Sequence, residues 1–188
     1  MKIGILALQG AFIEHKKMFD DLNVQTFEIR QLKDINQDFD AIVLPGGESS
    51  TQIRLLKKLK LFEPLKEKIE NGLYVMATCA GLILLSQNIK NQSDAAFKTL
   101  PISVVRNAYG RQLNSFVTNE EIIGIGKMDM IFIRAPHIEK VDDCVEVLSK
   151  VNDKIVAIKY KNQLAFSFHP ELSKDNSIHK YFISMINN

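Results

Sequence analysis

Tyr74-Val75-Met76-Ala77-Thr78-Cys79-Ala80-Gly81-Leu82-Ile83-Leu84-Leu85 is the stretch whose reading decides the fold. An apolar run leads into Thr78, small residues surround Cys79, and a second apolar run follows. The pattern reads as strand, tight turn and helix, with a cysteine at the apex. Such a corner lifts one side chain above the edge of a sheet. It also sets the sulfur at a helix N-terminus, where free N–H groups and the helix dipole favour a thiolate. Hydrolases use the same device with serine, written G-x-S-x-G; here it is Ala77-x-Cys79-x-Gly81. The same residues suit a buried structural cysteine in a βα turn, and on the turn alone that plainer reading stands first. The surrounding chain has to decide.

Upstream, residues 3–8 form a continuous apolar run, the mark of a strand buried on both faces, broken by Gln9-Gly10. Residues 12–22 carry Phe12, Met18, Phe19 and Leu22 among charges and predict an amphipathic helix. Strands follow at 24–29 and 40–44, the second stopped by Pro45-Gly46-Gly47. This β-α-β order predicts a parallel sheet with crossover helices. Pro45-Gly46-Gly47-Glu48-Ser49-Ser50-Thr51 then links a strand to a helix beginning near Thr51, with Ser49, Ser50 or Thr51 as its cap. The glycines let backbone N–H groups approach a ligand, so the loop suits an oxyanion hole or anion site. Taken alone, an ordinary tight βα turn is the reading that stands first, and neither the P-loop nor the G-x-G-x-x-G pattern is present. A helix from Pro64 to Asn71-Gly72, the strand 73–77 and a helix over 82–89 complete this half, with a polar loop over 90–99.

Beyond Pro101 the character changes. Short strand-like runs at 102–105, 115–117, 121–125 and 130–133 have no long helix between them and predict antiparallel pairing. Arg106-Asn107-Ala108-Tyr109-Gly110-Arg111-Gln112 is polar, and its arginines suit carboxylates, though a solvated loop would look the same. Three more strands are predicted at 144–148, 155–160 and 164–168, and an amphipathic helix over 176–186. The expected architecture is a three-layer α/β/α fold on a mixed, mostly parallel sheet with an antiparallel extension, in one domain over residues 1–188.

The composition narrows the function. The 188 residues are 46% hydrophobic, and 24 basic against 22 acidic residues leave a net charge of +2. That balance gives no case for nucleic acid or a membrane surface. Cys79 and Cys144, the two cysteines, lie far apart without metal-ligand spacing, so neither a disulfide framework nor a metal is expected and a reducing cytoplasm is. The first apolar run is too short for a signal peptide, and none approaches membrane-spanning length.

A thiol nucleophile needs a base, and the base needs a group to orient it. Of the four histidines, His15 and His179 lie on predicted helices among charges and read as exposed. His137 ends a strand after Arg134-Ala135-Pro136 and is a competitor. His169 is the better candidate: it leaves a buried strand before Pro170, and an extended chain sets Glu171 on the same side to hold the imidazole. Cys144, without a neighbouring base or glycine corner, reads as a small core residue.

These residues carry a resemblance. Gly46-Gly47-Glu48-Ser49-Ser50-Thr51, Thr78-Cys79-Ala80-Gly81 and Ser167-Phe168-His169-Pro170-Glu171 resemble the three signatures of class I, triad-type glutamine amidotransferases, which have a flavodoxin-like fold. Leu8-Gln9-Gly10-Ala11-Phe12-x-Glu14-His15, the Arg106–Gln112 segment and Phe132-Ile133-Arg134-Ala135-Pro136-His137 are similar to one branch of that family, the glutaminase subunits of pyridoxal 5′-phosphate synthases. The resemblance covers essentially the whole chain. It implies hydrolysis of L-glutamine to L-glutamate and ammonia, with Cys79 as nucleophile, His169 as acid/base and Glu171 as orienting carboxylate. It implies an oxyanion hole from the Gly46-Gly47 loop and the N–H of Ala80, and glutamine held near Gly46, Gly47, Glu48, Ser49, Arg106, Ile133 and Arg134. No cofactor is implied. The partner would be a barrel synthase subunit that receives the ammonia, met at Gln9 and Gly10, and activity without it would be weak. Two alternatives remain: a glutaminase for another synthase, such as the imidazole glycerol phosphate one, and an inactive binding or regulatory protein on the same fold. The intact Cys79, His169 and Glu171 set oppose the latter. Ala77 and Ala165 stand where glycine is usual in the family, and neither change removes a functional group.

Overall fold

The protein is described by a computed structural model, covering residues 1–90, 97–106 and 115–187. Five strands form its parallel half: β1 (Lys2–Leu6), β2 (Gln25–Ile29), β3 (Ala41–Leu44), β4 (Tyr74–Thr78) and β12 (Gln163–Phe166), in the order β2-β1-β3-β4-β12. The other strands in chain order are β5 (Ser86–Ile89), β6 (Leu100–Val105), β7 (Ser115–Ile122), β8 (Gly126–Ile133), β9 (His137–Val141), β10 (Glu146–Val151) and β11 (Lys154–Tyr160). From β12 the sheet continues antiparallel through β11 and β9 to β6, β5 then pairs β6 in parallel, and β10 also pairs β11 antiparallel. β7 and β8 form a separate antiparallel ribbon.

The parallel strands feed two cores at once. Leu6, Ile42, Leu44, Val75, Ala77 and Ala165 face one core, and their alternates Ile3, Ile5, Val43, Met76, Leu164 and Phe166 face the other. This period-two division between two apolar faces is what makes these strands continuous apolar runs in the sequence. α2 (Ser49–Lys58), α3 (Phe62–Glu70) and α4 (Ala80–Leu85) cover the first face through Ile53, Leu56, Leu65, Ile69 and Leu82. α1 (Phe12–Asp20) and α5 (Ser177–Asn187) cover the second through Phe19, Ile178 and Phe182, joined by Met128, Met130 and Phe132 of β8. The result is the expected three-layer arrangement. Among the described residues no helix is long and apolar enough to cross a membrane.

Several local expectations need correction. The helix expected over 82–89 stops at Leu85, and residues 86–89 are β5. Ser86 is extended and its Oγ donates to the Ile83 carbonyl at 2.8 Å, competing with the helix's own hydrogen bonds. The separate runs at 115–117 and 121–125 belong to one strand that ends at Ile122, followed by a turn. β9, with its exposed Glu139 and Lys140, was not expected. α2 begins at Ser49 behind Glu48, and no side chain caps it. Cys144 is exposed rather than in the core, because it lies in the turn closed by Val145 N–H to the Asp142 carbonyl, before β10 begins. Most consequentially, His15 and His179 are fully buried.

Candidate active site

Four loops leave the C-terminal ends of parallel strands and meet: Gln9-Gly10 after β1, Pro45–Glu48 after β3, Cys79 after β4 and His169 after β12. This edge is where open α/β sheets hold their ligands. The β4–α4 corner is a sharp one. Cys79 has φ 48° and ψ −99°, a strained conformation for a non-glycine residue, costing about 1–3 kcal/mol. Two features hold it. Its N–H donates to the Phe166 carbonyl at 2.8 Å, extending the β4–β12 ladder past the last strand residue. A Cβ on Gly81 would lie 2.0 Å from the Leu44 carbonyl oxygen, so only glycine lets α4 start this close to β3. Ala77 and Ala165 are register partners across β4 and β12, both fully buried.

His169 follows Phe168, and its N–H is pinned by the Ile131 carbonyl of β8 at 2.9 Å. Pro170–Leu172 then form a 3-10 turn, not the extended chain expected, and the turn still brings Glu171 Oε1 to 2.7 Å from His169 Nδ1. Both side chains are buried. Burial pulls the His169 imidazole down, but hydrogen bonds to Cys79 and Glu171, with the charge on each, overcome it and hold the ring at about 10. So Cys79, His169 and Glu171 come together in a nucleophile, base and orienter arrangement. His137 does not join them: it opens β9 opposite Val105, and burial lowers its pKa.

The glycine loop packs on the same point. A Cβ on Gly46 would lie 2.2 Å from His169 Cε1 and 3.3 Å from Cys79 Cβ. Gly46 N–H donates to Thr78 Oγ1 at 2.9 Å, and its carbonyl accepts from Ala11 N–H at 3.0 Å. The Gln9 side chain reaches across so that its Oε1 accepts the Glu48 N–H at 2.7 Å, while Gln52 Nε2 donates to the Gln9 and Pro45 carbonyls. Gln9 and Gly10 therefore brace the loop. Glu48 Oε1 in turn accepts from Arg106 Nη2 at 2.9 Å and from Ser50 Oγ at 3.1 Å. Ala80 is the first residue of α4, where N–H groups lack helical acceptors. Ser49 is buried, whereas Ile133 ends β8 with 40% exposure and Arg134 follows at φ 45°. The rest of the Arg106–Gln112 segment, residues 107–112, lies outside the described residues.

Behind Glu171 lies a feature that sequence reasoning missed. His15 of α1 and His179 of α5 meet with Nδ1 and Nε2 3.0 Å apart. His15 Nε2 lies 3.2 Å from Thr78 Oγ1 and 3.4 Å from Glu171 Oε2. Burial drives His15 well below the usual imidazole range, helped by the His179 and His169 charges, and burial alone lowers His179 to about 4. The helical phase held the signal: His15 lies three and four residues from Phe12 and Phe19, and His179 three from Phe182, each on the apolar stripe. Among the described residues no group of three or more histidine, cysteine or acidic side chains could hold a metal ion.

The model of the SNO glutamine amidotransferase family matches residues 5–188. The chain is 55% identical over 186 residues to a pyridoxal 5′-phosphate synthase subunit PdxT of Desulfitobacterium hafniense, covering 99% of this chain and 94% of that one. It is 50% identical over 188 residues to the subunit of the same name from Haemophilus influenzae, covering 98% of each. A solved structure described as a glutamine amidotransferase superposes with TM-score 0.93 at 36% identity, covering 99% of both chains.

Proposed function

Since the chain belongs to the SNO glutamine amidotransferase family, we propose that it is the glutaminase subunit of a pyridoxal 5′-phosphate synthase, releasing ammonia from L-glutamine for a barrel synthase subunit. The observation that carries the reading is the strained Cys79 corner with His169 beside it, both against Gly46, and Glu171 2.7 Å behind. In this mechanism Cys79 Sγ, as thiolate, attacks the side-chain carboxamide carbon of glutamine. Backbone N–H groups of Gly47 and Ala80 receive the oxyanion, each donor worth about 3 kcal/mol. The His169 imidazolium gives its proton to the departing nitrogen, and ammonia leaves a Cys79 thioester. Neutral His169 then takes a proton from water, whose oxygen attacks the thioester and frees glutamate. Glu171 fixes the ring throughout. The catalytic step uses no metal or cofactor.

The substrate contacts follow the same reading. Arg106 meets the glutamine α-carboxylate, aimed by its ion pair with Glu48, and Gly46, Gly47, Ser49, Ile133 and Arg134 complete the pocket wall. Gln9 and Gly10 face the synthase subunit. Because Gln9 holds the Glu48 N–H, docking there can reset the glycine loop. The chain works as one domain over residues 1–188, in a cytoplasm where its two free cysteines stay reduced. The relatives at 50–55% identity bear the pyridoxal 5′-phosphate synthase name, which disfavours an imidazole glycerol phosphate client. The test is ammonia release from glutamine with and without the barrel subunit, together with trapping of a Cys79 thioester. We expect release to rise on adding the subunit and the thioester to be absent in Cys79→Ala. Equal release by wild type and Cys79→Ala would overturn the reading.

A further inference from the structure

Glu171 uses one carboxylate oxygen on His169, and the other points into the protein. Glu171 Oε2 is buried without a hydrogen-bond partner, as is His179 Nδ1. His15 stands between them, its Nε2 shared between Thr78 Oγ1 at 3.2 Å and Glu171 Oε2 at 3.4 Å, its Nδ1 3.0 Å from His179 Nε2. Each neutral imidazole has one N–H donor and one acceptor nitrogen. The pair therefore has two possible directions.

If His15 Nδ1–H donated to His179, then His179 Nδ1 would carry a buried N–H with no acceptor. The His15 Nε2 lone pair would also face a carboxylate oxygen. Both are costly in a dry interior. If His179 Nε2–H donates to His15 Nδ1, only an acceptor lone pair on His179 is left over. His15 Nε2–H then points at Thr78 Oγ1 and Glu171 Oε2. Thr78 Oγ1 has two lone pairs and accepts this N–H as well as that of Gly46.

We infer that His15 is a positioning residue of the amidotransferase centre: its Nε2–H holds the inner oxygen of Glu171, and His179 fixes the tautomer that makes this possible. The carboxylate is held from both sides, so Oε1 stays on His169 Nδ1 and the ring stays on Cys79. Through Thr78 the same N–H ties the acid/base pair to the Gly46 end of the glycine loop. His15 does not touch substrate, and this role rests on the triad reading above.

The test uses the protein in complex with the barrel synthase subunit and follows ammonia release. His15→Phe removes the donor but keeps a buried ring. It is expected to lower kcat about tenfold or more, the loss for one hydrogen bond to a charged group, with KM for glutamine within about twofold. His15→Gln places an amide N–H near the former Nε2 and is expected to recover kcat to within about threefold of wild type. An unchanged kcat in His15→Phe, a change confined to KM, or a His15→Gln as slow as His15→Phe overturns the inference. A second measurement needs no variant to fold. Long-range proton–nitrogen correlation spectra of 15N-labelled wild type should show both His15 and His179 protonated on Nε2, and His15 protonated on Nδ1 overturns it. Failure of the underlying reading looks different: Cys79→Ala would then release ammonia like wild type, whatever His15 does.

Discussion

His169 and His15 both face Glu171, one through Nδ1 at 2.7 Å and the other through Nε2 at 3.4 Å, yet their surroundings push their pKa values in opposite directions. Both are buried, so burial alone does not separate them. Neighbours do. His169 has a carboxylate on one side and the Cys79 sulfur on the other, and their hydrogen bonds and charges hold it protonated to about 10. His15 has a histidine on one side and an imidazolium beyond the carboxylate, which add to burial in lowering it. One carboxylate thus lies between a ring whose pKa is raised and a ring whose pKa is lowered. The contrast separates the chemistry from its support, and each half can be broken independently.

The charged side should be the most costly to lose. His169→Ala leaves Cys79 without a base and is expected to cut glutamine hydrolysis in the complex by at least about a thousandfold, as for other nucleophile–base pairs. A direct ammonia assay reads this, and a loss of less than about tenfold would mean that another group serves as base. A subtler break leaves every reacting group in place. Gly46→Ala puts a methyl 2.2 Å from His169 Cε1 and 2.7 Å from Nδ1, so the ring must move off Glu171 or off Cys79. A displacement of that order is expected to cost about a hundredfold in kcat. Retained activity would show that the glycine loop relaxes away from the ring instead.

The neutral side should appear in stability. His179 is lowered to about 4 in the fold against 6.5 for a free imidazole, and His15 is lowered as well. A folded pKa below the unfolded one means the unfolded chain binds more protons as pH falls. Stability from these groups is therefore present above about 6.5 and lost as pH drops toward 4. For His179 alone the loss between about pH 7 and pH 5 is about 2 kcal/mol, and His15 adds in the same direction. His169 works the opposite way: its raised pKa gives a contribution complete below about 6.5 and lost as pH rises through about 10. Denaturant melts at the two acidities measure the balance. His179→Gln, which does not titrate, is expected to lose less stability over the same interval. An equal loss would mean that the buried pair is not what acid attacks.

The two histidine sets also mark what sequence reading reaches. Cys79, His169 and the glycine loop stood out because each interrupts a strand at its end with residues of unusual conformational freedom. The parallel strands were legible because both of their faces are apolar. β9 was not: of its residues only Ile138 is buried, so no alternation shows. β5 was lost because Leu82 to Leu85 look like the start of a longer helix, and the stop depends on one serine hydroxyl. His15 and His179 were obscured by charged neighbours, Glu14, Lys16, Lys17 and Lys180, although helical phase put both on the buried stripe. Their role depends on two helices 164 residues apart in sequence packing on one strand end, and local pattern does not carry such a distance.

The smallest expected effect concerns the corner itself. Ala77 and Ala165 are neighbours across β4 and β12. Both methyls point into the core shared with Leu44, Val75 and Leu82. Cys79 reaches its conformation through Gly81 and the bond to Phe166, and neither depends on residue 77. Ala77→Gly should therefore leave kcat within about twofold while lowering stability by about 0.5–1 kcal/mol, the usual cost of glycine for alanine in a strand. Denaturant melts and ammonia release on the same preparation decide it. A gain in kcat beyond about threefold would show that the Ala77 methyl bends the corner, and would move the strain at Cys79 from the helix side of the turn to the strand side.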